Sequence, residues 1–429
     1  MGNRTHVTTW HNRLGPFAAR SFLAITMGGL LSAIGSSAAS VTLVWFVLSS
    51  THSPVLVSVV LACYFGARII AQVFTGVIAD RLNRGRVMLL GDLLSGFLYI
   101  AVALLVVSPA FQSLELIPLY ILLGLSCQLY PVSAQAALPD LVPQEDLVRA
   151  NAGMQACLDS GSLVGPAVGA VLIGIVGPTW AFAANAISYF LSAGATFFGR
   201  VNSRPDRRPQ RVLQDLGQGL NELVRNHVLS LLCIVGLIVH IAVIPIETVL
   251  MGVLVKDVLH APVITYGVAI TCLNVGALAC GVGLSLVRLP FSAKSMLFIG
   301  CSAEGVGVIG LGIAPSPWLL WMVAAFYGAA GSLLFAYVLA VVQQSTATSI
   351  RGRAFSAMYL GVEIGSVVGL AVVGSLIPAF GPRAVMIGMG ILIFLTLPLV
   401  AAIRDNEMTP SVKGEKATAA LDPSPSGDA

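Results

Sequence analysis

Charge is what this sequence has least of: Asp, Glu, Lys and Arg make up only 10% of its 429 residues, against roughly a quarter in soluble domains. That scarcity excludes a water-exposed globular surface of this size. Clustered metal ligands and disulfide frameworks are lacking too. The seven cysteines, Cys63, Cys127, Cys157, Cys233, Cys272, Cys280 and Cys301, lie inside apolar runs without CxxC spacing or clustered His partners. They read as small packing residues, not as bridges or metal ligands. Neither HExxH nor GxSxG occurs, so the common hydrolase motifs give no support to an intramembrane enzyme. No metal or soluble cofactor is implied, and the net charge of +4 carries no nucleic-acid inference.

What the chain has instead is apolar length. Hydrophobic residues make up 57% of it, mean hydropathy is +0.90, and runs of about 20 apolar residues, enough to span a bilayer as helix, recur along nearly all of it. The predicted spans of the first half are Phe22 to Leu48, Pro54 to Ala79, Val87 to Val107, Ile117 to Leu138, Ala152 to Val176 and Thr179 to Phe198. Those of the second are Val228 to Leu254, Ile264 to Val287, Lys294 to Ile313, Pro317 to Val342, Phe355 to Ile377 and Pro382 to Ile403. The first run is too long for a signal-peptide core. The fold class is therefore an all-α polytopic membrane protein with 12 helices in two six-helix bundles. Its expected divisions are a cytoplasmic segment (1–21), an N-terminal bundle (22–198), a central loop (199–227), a C-terminal bundle (228–403) and a disordered cytoplasmic tail (404–429).

With the N-terminus inside, 20 of the 23 Lys and Arg residues fall on the cytoplasmic side, Lys256 and Arg383 fall outside and Arg68 lies within a span. The positive-inside rule thus puts both termini in the cytoplasm. The central loop opens with the basic stretch Arg204 to Arg211 and continues into Leu213, Leu216, Leu220 and Leu223, a spacing that predicts an interfacial helix. Its basic charge is accounted for by retention in the cytoplasm and attraction to anionic lipid.

An offset of 204 residues exposes an internal repeat. It pairs Arg149 with Arg353, Met154 with Met358, Gly161 with Gly365, Gly165 with Gly369, Gly177 with Gly381 and Pro178 with Pro382. The ungapped register runs through a helix and the Gly-Pro turn after it, so spans five and six are repeated as eleven and twelve. Two parallel halves related about the membrane normal would bind substrate between them and rock to alternate access.

Between spans two and three stands Gly76-Val-Ile-Ala79-Asp80-Arg81-Leu-Asn83-Arg84-Gly-Arg86, and the fifth carries Gly161-Ser-Leu-Val-Gly165-Pro166-Ala-Val-Gly169. The first resembles the loop pattern of the major facilitator superfamily, and the second its antiporter-associated fifth-helix motif. Pro139-Asp-Leu-Val-Pro143, Ala150-Asn151 and Arg351-Gly-Arg353 resemble the drug and natural-product efflux branch that includes macrolide efflux permeases and the enterobactin exporter. Two departures stand out. Asn83 occupies a position where the pattern often has Gly, tolerated because Asn enters the left-handed region more readily than most residues. Ser36 and Ser37 stand where relatives often place an acid, so no proton site carries over to the first span.

Physically, Asp80 at the end of the second span can accept hydrogen bonds from the free amides that open the eleventh. With Gly76, Arg81, Arg84, Arg351 and Arg353 it would form a latch; alternatively, these charges simply mark a short turn. Gly161, Gly165 and Gly169, four residues apart, give a flat seam for close helix packing, and Pro166 removes a backbone donor.

Ionisable groups inside the membrane are functional candidates by default. Arg68, Asp159, His240, Glu247, Glu304 and Glu363 qualify. Asp159 and Glu363 are repeat equivalents at a depth of about 15 Å; they read either as proton-coupling groups or as members of structural ion pairs, and Glu363 is expected to pair with Arg68. Glu247 is expected too near the outside for a central site, Glu304 on a peripheral helix, and His240 in an interior hydrogen bond. Spans one, four, seven and ten offer Ser36, Ser40, Gln128, Tyr130, His240, Tyr327 and Tyr337 as cavity lining among apolar residues. That mixture suits a small amphiphilic organic substrate. The resemblance implies a monomeric exporter in the cytoplasmic membrane that exchanges its cargo for protons. A siderophore or lysophospholipid is the alternative cargo, and a non-transporting receptor or scaffold the alternative class.

Overall fold

The computed structural model describes residues 15–403 apart from 109–110, 202–216, 218–220, 222, 288–289 and 347–350, with the side chains of 15, 18, 73, 76–77, 79–81 and 351–353 outside the description. The basic stretch of the central loop, most of its expected interfacial helix and the tail from Arg404 therefore lie outside the described residues.

Among the described residues, twelve helices are long and apolar enough to cross a membrane. They are α1 (Arg20–Thr51), α2 (Pro54–Arg81), α3 (Arg84–Val107), α4 (Leu116–Ser126 and Leu129–Leu141), α5 (Leu147–Val176) and α6 (Pro178–Phe198). The last six are α7 (His227–Val258), α8 (Val263–Leu286), α9 (Ala293–Ile313), α10 (Pro317–Ser345), α11 (Arg351–Phe380) and α12 (Pro382–Ala402). Polar residues cap several of the helix starts. Ser53 Oγ accepts from Leu56 N at 3.2 Å to start α2, and Asn226 Oδ1 accepts from Val228 N and Leu229 N to start α7. Asn83 departs from expectation: at φ −62° and ψ 117° it is extended, not left-handed, and its side chain caps α3 by accepting from Arg86 N.

The repeat is visible in the backbone. Among the described glycines only Gly177 (φ 86°) and Gly381 (φ 77°) have positive φ, and they are the repeat-equivalent turns that lead into Pro178 and Pro382. Glycine supplies the conformation that ends one helix, and proline fits the first position of the next.

The packing repeats as well. The α5 glycine seam lies against α1: a Cβ on Gly161 would come 2.6 Å from Ala33 Cβ, and one on Gly165 2.5 Å from Ser37 Cβ. In the second half Gly365 and Gly369 of α11 press likewise on the α7 backbone at Leu237 O and Ile241 O. The halves meet along two further seams, α2 against α11 and α5 against α8.

Successive helices alternate in direction, which gives the bundle one face bearing the ends of the described chain, the terminal face, and an opposite face. At the opposite face the ends of α1 and α7 form a seal. Val44, Val47 and Leu48 are buried there with Leu250, Leu254 and Val255, and Lys256 Nζ donates to Leu48 O.

Candidate substrate cavity

A cavity of about 770 Å³ lies between α5 of the first half and α7, α8, α10 and α11 of the second, with Glu304 contributed by α9. It reaches from Glu247, beneath the seal, to Ser285 in the last turn of α8. Near that end Gly281, Val282 and Ser285 line the cavity and are exposed, so it opens toward the terminal face. Its walls are chiefly apolar, including Leu163, Val239, Leu273, Leu278, Phe335 and Val338.

Its deep end is acidic. α7 breaks regular α-geometry after Pro245 and continues as two π-helical turns, Ile246–Leu250 and Leu254–Val258. Proline cannot donate to the helix ladder, and π-turns often accompany functional positions. Glu247 sits in the first of these turns and lines the cavity. Glu304 reaches the same place from α9. Glu304 Oε1 lies against Gly331 of α10, 3.4 Å from where a Cβ would stand there. Glu304 is 3% exposed and Tyr327 2%, and the two interact electrostatically with each other and with Glu247. Among the described residues, Glu304 Oε2 has no hydrogen-bond partner, while the Tyr327 hydroxyl lies beside Glu247.

The first half encloses a smaller polar pocket of about 240 Å³. The helical break at Cys127 and Gln128, between the two pieces of α4, places both against it. Tyr64 donates to Cys127 Sγ at 3.5 Å, and Ser36 Oγ lies 2.9 Å from Tyr189 Oη. Arg68 covers the rings of Tyr64 and Phe65 at 5.8 and 5.2 Å, which spreads its charge over aromatic faces. Its Nη2 stands 3.7 Å from Glu363 Oε1 across the α2–α11 seam.

The α5–α8 seam is held differently. Pro166 has no N–H, so the carbonyl of Ser162, four residues earlier, loses its helical donor. Asn274 Nδ2 of α8 donates to Ser162 O at 3.3 Å and supplies a substitute. The helix nonetheless runs unbroken from Leu147 to Val176, so Pro166 redirects a hydrogen bond without dividing α5.

A family model described as "Transmembrane secretion effector" matches residues 11–422. The chain belongs to that family. Curated relatives of the chain include a protein named "Multidrug efflux pump Tap" from Mycobacterium tuberculosis, 24% identical over 90% of this chain and 94% of the relative. Another is named "Enterobactin exporter EntS", from Shigella boydii, 26% identical over 91% and 95%. Among solved structures, a POT family transporter in complex with 5-aminolevulinic acid superposes with a TM-score of 0.73 at 12% identity, covering 91% of this chain and 97% of that one. The nucleoside transporter NupG gives 0.72 at 14%, covering 90% and 100%. The fold is that of the major facilitator superfamily, and the chain is a multi-pass membrane transporter, not an enzyme.

The structure gathers some of the expected site residues and scatters others. Arg68 and Glu363 come together. Asp159 is exposed on the cavity wall and accepts from Gln155 Nε2 at 2.8 Å. His240 also lines the cavity, with Nδ1 2.9 Å from Gly236 O. Ser36, Gln128 and Tyr130 line the smaller pocket; Tyr130 donates to Ile25 O. Tyr327 lines the larger one, whereas Ser40 and Tyr337 line neither. Ser40 lies a turn beyond Ser36, past the end of the pocket. Tyr337 is ten residues from Tyr327, about 80° short of full turns, and packs into the core instead. Arg84, expected in the latch, donates to Ala136 O at 2.8 Å and Asp140 Oδ2 at 3.1 Å, which ties α3 to α4 inside the first half. The side chains of Asp80, Arg81, Arg351 and Arg353 lie outside the description.

Two acids were misjudged from sequence and one was overlooked. Glu247 and Glu304 were expected away from the centre, yet both line the cavity. Asp92 is fully buried in α3 beside Ser192 and Tyr130 and lines the smaller pocket. The signal for it was a lone carboxylate five residues inside the third span.

Proposed function

We propose that this chain exports a small amphiphilic molecule from the cytoplasm across the cytoplasmic membrane by alternating access, in exchange for protons. One observation carries the reading: a largely apolar cavity of about 770 Å³ between the halves, open at one face and sealed at the other. The names of the two curated relatives, an efflux pump and an exporter, support the outward direction. The excess of Lys and Arg in the segments at the terminal face supports that face as cytoplasmic, both termini included. The structure then corresponds to the loading state, with cargo entering from the cytoplasm or the inner leaflet.

In this scheme the seal of α1 on α7 opens as the terminal face closes, and Asp80 latches the closed face against the start of α11. Asp159 and Glu363, at repeat-equivalent positions, are the proposed coupling candidates. Of the two, Asp159 is the better placed to exchange protons with the cavity, because it lines the cavity wall while Glu363 is engaged by Arg68. The protein works as a monomer, each chain holding a complete cavity.

The test is flux in proteoliposomes under an imposed pH gradient, with a fluorescent amphiphilic dye as cargo. Wild type is expected to move dye against its gradient while protons flow the other way. Asp159→Asn should lose the pH-driven component while retaining downhill dye exchange. Undiminished pH-driven transport in both Asp159→Asn and Glu363→Gln would overturn the coupling assignment. No flux of any amphiphile under any gradient would favour a receptor or scaffold instead.

A further inference from the structure

We propose that Glu247 and Glu304 form a subsite at the closed end of the cavity that takes the positively charged head of an amphiphile, so that the cargo class of this transporter is cationic. The inference rests on the export reading and sharpens it.

The described ionisable groups lining the cavity are Asp159 from α5, His240 and Glu247 from α7, Glu304 from α9, and Tyr327 and Tyr359 from α10 and α11. Three are carboxylates, and none is Lys or Arg. The guanidinium of Arg68, near midplane, faces the smaller pocket and is engaged by Glu363. An anionic cargo would therefore meet like charge at Asp159 and again at the closed end, at a cost in a low-dielectric site. A cation would meet opposite charge at the mouth-side Asp159 and again at the deep end.

The deep end is built as a site. Glu304 is almost completely buried, yet one of its oxygens is unpartnered among the described residues and it lines the cavity. The buried Tyr327 lines the same end, with its hydroxyl beside Glu247. A buried carboxylate without a partner is costly in apolar surroundings, and an ammonium, guanidinium or phosphonium entering between Glu304 and Glu247 relieves that cost. Two further features aim these groups at one spot. The π-turn after Pro245 carries Glu247 into the cavity, and Glu304 Oε1 lies against the bare backbone at Gly331 of the cavity wall. The walls formed by Leu163, Leu273, Leu278 and Phe335 then accept the apolar body of the same molecule.

Two probes of one shape and opposite charge test this: tetraphenylphosphonium and tetraphenylborate. Their binding is measured by equilibrium dialysis against the full chain in nanodiscs, with empty nanodiscs subtracted. Wild type is expected to bind the cation saturably, at least tenfold tighter than the anion. Glu247→Gln and Glu304→Gln should each weaken cation binding tenfold or more. Glu304→Asp, which keeps the charge, should recover most of it, and Glu145→Gln, outside the cavity, should change nothing. Gly331→Val, which covers Glu304 without removing charge, should mimic Glu304→Gln, and it keeps the test open if that variant does not fold. Preference for the anion, wild-type binding of neither ion, or unchanged cation binding in folded Glu247→Gln and Gly331→Val would each overturn the subsite. Saturable cation binding without flux in liposomes would leave the subsite standing and sink export. Flux of neutral amphiphiles with no preference for cations would do the reverse.

Discussion

The two seams between the halves occupy equivalent places in the repeat but are held by different chemistry. Along α2–α11 a guanidinium and a carboxylate face each other at 3.7 Å. Along α5–α8 the equivalent acid, Asp159, lines the cavity, and the link is Asn274 donating to the carbonyl that Pro166 frees. The equivalent of Pro166 in α11 is Leu370, which keeps its own backbone donor. Duplication thus preserved how helices touch, through glycine seams and Gly-Pro turns, while charge diverged. An acid released from pairing on one seam is available to protons or cargo, and its counterpart on the other is committed to holding the halves together.

The largest expected effect tests the shared packing. Gly165→Leu and Gly369→Leu each force a side chain into a neighbouring backbone already within contact distance, and overpacking of this kind costs about 1–3 kcal/mol or more. Both should lose folded protein in mixed-micelle unfolding to a similar extent, whereas Gly66→Ala, with nothing within 4 Å of its Cβ position, should not. A severe loss at only one of the two would mean the halves are not packed alike.

Next comes the contrast in charge. Arg68→Met leaves Glu363 without its cation and should destabilise by about 1–2 kcal/mol, a figure discounted from that of a buried pair because both groups are about a quarter exposed to solvent. Glu363→Met in the same chain should restore part of that loss. Asp159→Met should leave unfolding unchanged within about 0.5 kcal/mol, since an exposed acid without a cation contributes little. Equal losses at Glu363 and Asp159 would erase the distinction between the seams.

The smallest effect is the most specific. Asn274→Leu removes the donor to Ser162 O and should cost about 1 kcal/mol. Adding Pro166→Ala should recover it, because Ser162 O regains its helical donor from residue 166. Additive losses in the double variant would show that Asn274 acts elsewhere.

Much of this was legible in sequence because lipid permits so few solutions. Apolar runs of helix length, basic residues on one side and a 204-residue repeat leave little besides a bundle of two related halves. The Arg68–Glu363 pairing could be anticipated because two opposite charges of equal depth lay on helices that adjoin in the family fold. Direction around a helix was harder to read. Glu304 is expected at the periphery by its helix, whereas its side chain reaches past α10 at Gly331 to line the cavity. Glu247 is expected too near the outside for a central site, and depth alone does not reveal that a π-turn faces it into the closed end of the cavity. Tyr337 and Ser40 were grouped with true lining residues by span alone, without regard to face or depth.

The central claim is that one face of the cavity opens only as the other closes. Spin labels at Val148 and Leu286 report the α5–α8 seam at the terminal face, and labels at Ile175 and Ile264 report its other end. Distances from double electron–electron resonance, with and without tetraphenylphosphonium across a pH titration, should change in opposite directions: the terminal-face pair shortens while the opposite-face pair lengthens. Two distances that stay fixed, or that lengthen together, would contradict alternating access in this protein.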